Sequence, residues 1–360
     1  MRARLFRVWL VLLASGVIAV AFAARSRAAE LSVAEKLYAD LGKLPPAERQ
    51  QRLEDGARRE GKLVFVHTWR NNMWEPHVAL FKKRYPFLTV EANSTGSQDA
   101  AERLVSEETA GQHLTDIMNL AVPDLEVILA RDFAARYPTP AVSAILPKYR
   151  GFLDPDNRWT PFYMSDFGIS YNPKLVPPDK APKTWFDLCD PQFKGNVSFD
   201  GPNIRFLVGI YAMMGDETTK EWLQCIGKNK PIVQLTTVTR FQLMLAGDHA
   251  VQGQTYTYYC YAAKAENPSA PCAIVQSAPM IGLAGAMVIN RNTTHPHAAA
   301  LLADWALSSE SQDYAAKNLR GPLSLKHPYL ADDAQIVVSG LPTKDVVDKV
   351  LAYWEQYVGR

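Results

Sequence analysis

None of the short motifs that mark common enzyme classes occurs in this chain. There is no G-x-S-x-G elbow, Walker A loop, H-E-x-x-H pair or G-x-G-x-x-G turn. Histidine is scarce, 7 in 360 residues, and the one close pair, His295 and His297, is split by Pro296 in a way that suits a helix start better than a metal site. Asp187, Asp190 and Asp200 are spread through a turn-rich stretch and form no carboxylate pair for acid–base work. A charge excess is also lacking. The net charge is +2 and no basic stripe interleaves with aromatics, so no nucleic-acid partner is expected. Cysteine is limited to Cys189, Cys225, Cys260 and Cys272, with no C-x-x-C pair and hence no zinc knuckle.

Long apolar runs are missing too, with one exception. Val8 to Phe22 is apolar, follows Arg2, Arg4 and Arg7, and precedes small residues at Ala23 and Ala28. It is short for a bilayer span and reads as a signal peptide over residues 1–28, which places the mature chain in the periplasm. In an oxidising compartment four cysteines point to disulfides. Three pairings exist; Cys189–Cys225 with Cys260–Cys272 keeps each loop short, and four buried free thiols are the alternative.

What the chain does contain is alternation of strand and helix. Residues 29–61 read as a helical extension, with Val33, Leu37, Leu41 and Leu44 at helical spacing behind Ser32 as N-cap. Pro45–Pro46 breaks that helix, and a second, charged one over Ala47–Arg59 stops at Gly61. Strands at Leu63–His67, in FLTVEAN and in LTDIMNLA alternate with helices, which implies a parallel α/β sheet. Ligands of such sheets gather beyond the strands' carboxyl ends, here His67–Arg70, Asn93–Ser97 and Asn119–Val122. The pattern restarts with a strand at Asn196–Phe199, a helix from about Asn203 and a strand at Ala250–Gln254. IGLAGAMVIN is a further strand, a long amphipathic helical region follows from His295, and residues 331–360 form a C-terminal helical segment. Two α/β lobes follow, 62–160 plus 280–330 and 161–279. The chain crosses between them at Pro161–Tyr171 and about Gln276–Ala286, with a ligand cleft at the junction.

Four ordered segments carry a family resemblance. They are LFKKRYPFLTVE, GISYNPKLVPPDKAPKTWFDLCDPQFKGNVSF, LMLAGDHAV and HPHAAALLADWALSSESQ. In order, over about Lys62 to Pro322, they resemble the iron-family (ferric-binding-protein-like) solute-binding proteins of ABC importers. The resemblance implies a two-lobed type II periplasmic-binding fold. It also implies a monomer that closes on one solute and delivers it to a permease and ATPase, with no catalysis of its own. An exported hydrolase and a periplasmic sensor subunit are the alternatives.

The stretch QTYTYYCYAAK places Tyr256, Tyr258, Tyr259 and Tyr261 around Cys260. In ferric-binding relatives two adjacent tyrosines, a histidine after the first strand and a carboxylate after the third hold Fe(III), a hard ion that prefers oxygen donors. Tyr258 and Tyr259 match the tyrosine pair, which makes them candidate metal ligands and Fe(III) a candidate cargo. The other two places do not match: Arg70 stands near the histidine's position, His67 lies early, and Ala121 takes the carboxylate's place with Asp124 displaced. An anionic solute, an organic acid or phosphate, is the other candidate. Its expected contacts are Trp69, Arg70, the Ser94, Thr95, Gly96 and Ser97 loop, Asn203, Arg205, Tyr256, Tyr258 and Tyr259.

Overall fold

The computed structural model describes residues 30–69, 73–234 and 236–359. The expected signal peptide and Arg70 lie outside the described residues. Helix α1 (Val33–Leu41) begins with a capping box: Ser32 accepts the Glu35 amide, and the Glu35 carboxylate accepts the Ser32 amide. Helix α2 (Pro46–Glu60) starts on Pro46, whose fixed φ suits a first helical residue, and ends at Gly61 with φ 66°.

The first α/β unit runs β1 (Lys62–His67), α3 (Trp74–Arg84), β2 (Thr89–Ser94), α4 (Ser97–Thr109) and β3 (Ile117–Ala121), with a short α5 (Glu126–Leu129). Strand β4 (Thr160–Tyr171) leads into the second unit. That unit holds β5 (Val197–Phe199), α6 (Ile204–Met214), α7 (Asp216–Lys228), β6 (Ile232–Val233), α8 (Thr237–Ala246), β7 (Val251–Tyr256), α9 (Tyr258–Glu266) and β8 (Ala273–Ile274). Strand β9 (Met280–Ile289) returns to the first unit, followed by α10 (Pro296–Trp305), α11 (Ser309–Lys317) and β10 (Gly321–Pro322). The chain closes with β11 (Ile336–Val338) and α12 (Lys344–Tyr357).

The strand order β2-β1-β3-β9-β4-β7-β5-β6 explains the two lobes. Strands β1, β2 and β3 are parallel, and β3 pairs antiparallel with the far end of β9, Ala121 opposite Gly285 and Ile117 opposite Ile289. The far end of β4 pairs instead with β7, Phe167 opposite Tyr256. Strands β4 and β9 pair with each other in between, Thr160 opposite Met287 through Phe167 opposite Ile281. These two strands therefore pass through both lobes, and the cleft lies over their middle.

Alternation along the strands fills a core on each face of the first lobe. Phe65 and Ile117 pack with Tyr38, Leu53, Phe81 and Trp305 on one face. Their neighbours Val66 and Met118 pack with Leu104, Ile128 and Val288 on the other. Phe199, Phe206, Trp222, Val251 and Ile281 fill the second lobe, and α12 adds Trp354.

Two elements differ from expectation. The helical region from His295 is broken, because Ser308 takes an extended conformation and caps α11 by accepting the Ser311 amide. The C-terminal segment is not helical throughout: β11 first pairs parallel with β9, Ile336 opposite Met280, before α12 returns to the second lobe. Cys189 is bonded to Cys225 and Cys260 to Cys272, at sequence separations of 36 and 12. Among the described residues no helix is long and apolar enough to cross a membrane.

Candidate ligand-binding cleft

A cavity of about 870 Å³ opens where the strand ends of the first lobe meet the helix starts of the second. From the first lobe come Thr68 and Trp69 after β1, Gly96–Asp99 at the start of α4, and Ala121 at the end of β3. The shared strands give Tyr163, Ser165 and Leu283–Gly285. From the second lobe come Arg205 in α6, Val238 in α8, Tyr256 at the end of β7, and Tyr258 and Tyr259 in the first turn of α9. Met73 and Arg320 complete the wall. A smaller cavity of about 360 Å³ lies among Tyr137, Thr139, Asp154 and Trp159. Its carboxylate, Asp154, is already held by Arg158 at 2.9 Å, so it offers no free charge to recognise a solute.

The tyrosine segment reaches the cavity because the strand ends in time. In a strand, neighbouring side chains point to opposite faces, whereas in a helix they lie roughly 100° apart. Strand β7 stops at Tyr256 and α9 starts at Tyr258, so the rings of Tyr258 and Tyr259 sit side by side with centroids 4.5 Å apart. Thr257 makes the switch: its amide donates to the Asp166 carbonyl at 3.2 Å and its hydroxyl donates to the Asp166 carboxylate. Gly168 permits this approach, since a Cβ there would lie 2.8 Å from the Thr257 methyl. Tyr256 stacks on Phe167 at 4.3 Å. Tyr261, one helical turn further on, stacks instead on Tyr329 and does not line the cavity.

Burial pushes the Tyr256 phenol up to about 12. Burial, and then the neighbouring Tyr258, raise the Tyr259 phenol further. These two groups are therefore O–H donors at neutral pH. Three helices, α4, α8 and α9, begin at the cavity wall without a side-chain cap. Their first-turn amides and dipoles favour negative charge there.

The structure places the remaining expected residues unevenly. Trp69, Gly96, Ser97, Arg205, Tyr256, Tyr258 and Tyr259 line the cavity. Ser94, Thr95 and Asn203 do not, and each has other work. Ser94 donates to the Trp69 carbonyl, and Thr95 donates to Asp99 at 3.4 Å. Asn203 caps α6 by accepting the Phe206 amide and donates to Asp200 at 3.2 Å. Asp200 in turn anchors the fully buried Arg240 at 2.6 Å. Ser97 lines the wall while its hydroxyl accepts the Ala121 amide at 2.9 Å.

The donors that would complete a ferric site are engaged elsewhere. His67 is fully buried and faces the core: its Nδ1 accepts the Trp69 amide at 3.0 Å, and its Nε2 lies 3.3 Å from Nδ1 of His77. His77 Nε2 lies 2.9 Å from the Ser311 hydroxyl. An acceptor at Nδ1 puts the His67 proton on Nε2, so each ring donates to the next partner. Burial holds both imidazoles neutral, with His77 lowered to about 3. Asp124 is paired with Arg205 at 2.6 Å.

Several wall residues escaped the sequence reading. Arg320 lies over the face of Tyr258, 4.1 Å from the ring centre, although 62 positions separate the two. Tyr163 and Ser165 face the cavity because they alternate with the inward Met164 and Asp166 along β4. No motif or periodicity marks these residues, since only the sheet register brings them together.

Residues 125–337, more than half of the chain, match the model of a family described as bacterial extracellular solute-binding protein. The chain is also 28% identical over 137 residues to a putative 2-aminoethylphosphonate-binding periplasmic protein of Salmonella paratyphi A, covering 38% of this chain and 37% of that protein. The alignment thus spans little more than a third of that relative. Among solved structures, iron-bound HitA from Pseudomonas aeruginosa superposes with a TM-score of 0.69 at 17% identity, covering 83% of this chain and 99% of that one. AfuA from Actinobacillus pleuropneumoniae, with fructose-6-phosphate bound, gives 0.65 at 20% identity over 83% of this chain and 98% of that one. With its two-lobed type II periplasmic-binding fold, this chain belongs to the bacterial extracellular solute-binding protein family.

Proposed function

We propose that the chain is the periplasmic substrate-binding component of an ABC importer. It captures a small organic anion, a carboxylate, phosphate or phosphonate, between its lobes and hands it unchanged to the permease and ATPase as a monomer. The observation that carries this is the convergence of Arg320, three helix starts and phenol donors on one cavity. A cavity of about 870 Å³ is roomy for a solute with an organic part and generous for a bare ion. The names of the Salmonella relative and of the AfuA structure, a phosphonate and a sugar phosphate, agree with that class. Residues 62–160 plus 280–330 and 161–279 are the two closing bodies, with residues 1–28 as the export signal. Trp69, Arg70, Gly96, Ser97, Tyr256, Tyr258, Tyr259 and Arg320 supply the contacts, and Arg205 stands in the wall paired with Asp124. Ser94, Thr95 and Asn203 support them from behind.

Fe(III) held by Tyr258 and Tyr259 is the second candidate cargo, favoured by their side-by-side rings. It fits less well, because His67 and Asp124, the donors nearest the other two ligand positions, are engaged elsewhere.

The deciding experiment is purification from the native periplasm, with mass spectrometry of the released solute and small-angle scattering with and without it. An acidic organic solute that compacts the protein supports the proposal. Bound iron without an organic solute overturns it. Turnover of ester, phosphate or glycoside substrates would favour the hydrolase alternative, and a genomic neighbour that is a receptor rather than a permease and ATPase would favour the sensor.

A further inference from the structure

We propose that the two described arginines of the cleft have different tasks: Arg320 anchors the solute's anionic group, whereas Arg205 joins one lobe to the other through Asp124. The assignment rests on the cleft being the solute site.

Asp124 belongs to the turn that follows β3 in the first lobe, and Arg205 to the first turn of α6 in the second. The pair is two-pronged, with Nη2 donating to Oδ2 at 2.6 Å and Nε donating to Oδ1 at 3.3 Å. The Asp124 side chain is 7% exposed and that of Arg205 28%. A solute anion on Arg205 would have to displace a carboxylate that already satisfies it, leaving Asp124 unpaired in a dry site. The Arg205 carbonyl also accepts the Ser339 hydroxyl at 3.1 Å, so the C-terminal segment holds the same residue.

Arg320 has no such partner. Among the described residues no carboxylate lies within 4.0 Å of it; its neighbours are the Tyr258 face at 4.1 Å and the Met73 sulfur at 3.9 Å. Neither neutralises its charge. A guanidinium stacked by its face keeps its edge donors available for a two-pronged bond to an oxyanion. Its backbone is also fixed. Leu319 takes a left-handed conformation, φ 56°, at the end of α11, and the Arg320 amide donates back to the Ala315 carbonyl at 2.9 Å. The charge is thus set on a rigid corner beside two phenol donors.

The test compares Arg320→Gln, Arg320→Lys, Arg205→Gln, Asp124→Asn and the exchange Asp124→Arg with Arg205→Asp in the full chain. Inorganic phosphate and methylphosphonate are the calorimetric probes, and scattering of the solute-free protein reports lobe closure. Arg320→Gln is expected to weaken the probe bound by the wild type about 30-fold, with solute-free scattering unchanged and Arg320→Lys recovering part of the loss. Arg205→Gln and Asp124→Asn are expected to expand the solute-free protein, and the exchange to restore its compactness. Wild-type affinity in Arg320→Gln, no binding of either probe by the wild type, or unchanged scattering in both Arg205→Gln and Asp124→Asn would overturn the assignment. Mass spectrometry of the solute carried from cells separates the two failures. An acidic solute retained by Arg320→Gln defeats only the division of tasks, whereas a solute without an acidic group also defeats the anion-binding proposal.

Discussion

Asp166 holds Thr257 at two points, by its carbonyl and by its carboxylate, and thereby fixes the corner from which Tyr258 and Tyr259 enter the cleft. Asp166 is fully buried on the shared strand β4, behind the cavity. The Tyr329 hydroxyl donates to it at 3.1 Å, and His327 Nε2 lies 4.0 Å away. Arg320 also acts on it, and the Asp166 charge is felt in turn by Tyr149 and Tyr261.

Burial raises the Asp166 carboxyl to about 6, against the opposing pull of Thr257, Tyr329 and Arg320. A carboxyl raised on folding favours the folded state while it is protonated, so stability is lost as pH climbs through about 6. The full span, from the ordinary carboxyl value up to about 6, is worth roughly 3 kcal/mol. Asp166→Asn should flatten the pH dependence of thermal unfolding between about pH 4 and 6 and leave the variant more stable than the wild type at pH 8. An unchanged slope in that window would refute the assignment.

The phenols of Tyr258 and Tyr259 are expected to act as hydrogen-bond donors to the solute. Removing one, in Tyr258→Phe or Tyr259→Phe, should weaken binding of the native solute about 10-fold with little change in stability. Calorimetry with that solute checks this. In parallel, ferric citrate should produce no visible tyrosinate-to-iron band, and a band abolished by either substitution would instead establish the metal.

Gly285 sits on β9 opposite Tyr163, and a methyl there would overlap the Tyr163 ring. Gly285→Ala should therefore push a cleft wall inward, costing about 1–3 kcal/mol of stability and lowering affinity together. Denaturant unfolding and binding measured on the same sample would show the coupling. A stable variant with reduced affinity alone would mean that Tyr163 moves at little cost.

The Cys260–Cys272 bond closes a 12-residue separation directly behind Tyr259. Chain entropy assigns such a loop roughly 3 kcal/mol. Cys260→Ser with Cys272→Ser should lower the midpoint of thermal unfolding by several degrees. It should also weaken solute binding, because α9 carries the tyrosines. A variant that keeps wild-type affinity would show that Asp166 and Thr257 suffice to hold the helix start.

Much of the framework was legible because it depends on neighbours in sequence. Ser32 and Glu35 form their capping box within one turn, and Gly61 ends α2 by its own φ. The parallel strands β1, β2 and β3 follow from apolar runs spaced by helices, and the cleft at their carboxyl ends follows from that arrangement. His67 and Asn203 show where such reasoning stops. Each stands near the expected place, but His67 turns to His77 in the core and Asn203 turns to its own helix. The direction of a side chain at a strand end or helix cap depends on partners far along the chain.

Most element types, the two-lobed class and the tyrosine-rich corner could be read from the chain alone, since periodicity, turn chemistry and local caps act over a few residues. Which charges face the cleft depends instead on contacts between distant parts of the chain. Arg205 meets Asp124 across 81 positions and Arg320 meets Tyr258 across 62, and in both cases the long strands β4 and β9 bring the two sides together. No local pattern encodes such distances, because they follow from sheet register and lobe closure rather than from the propensities of neighbouring residues.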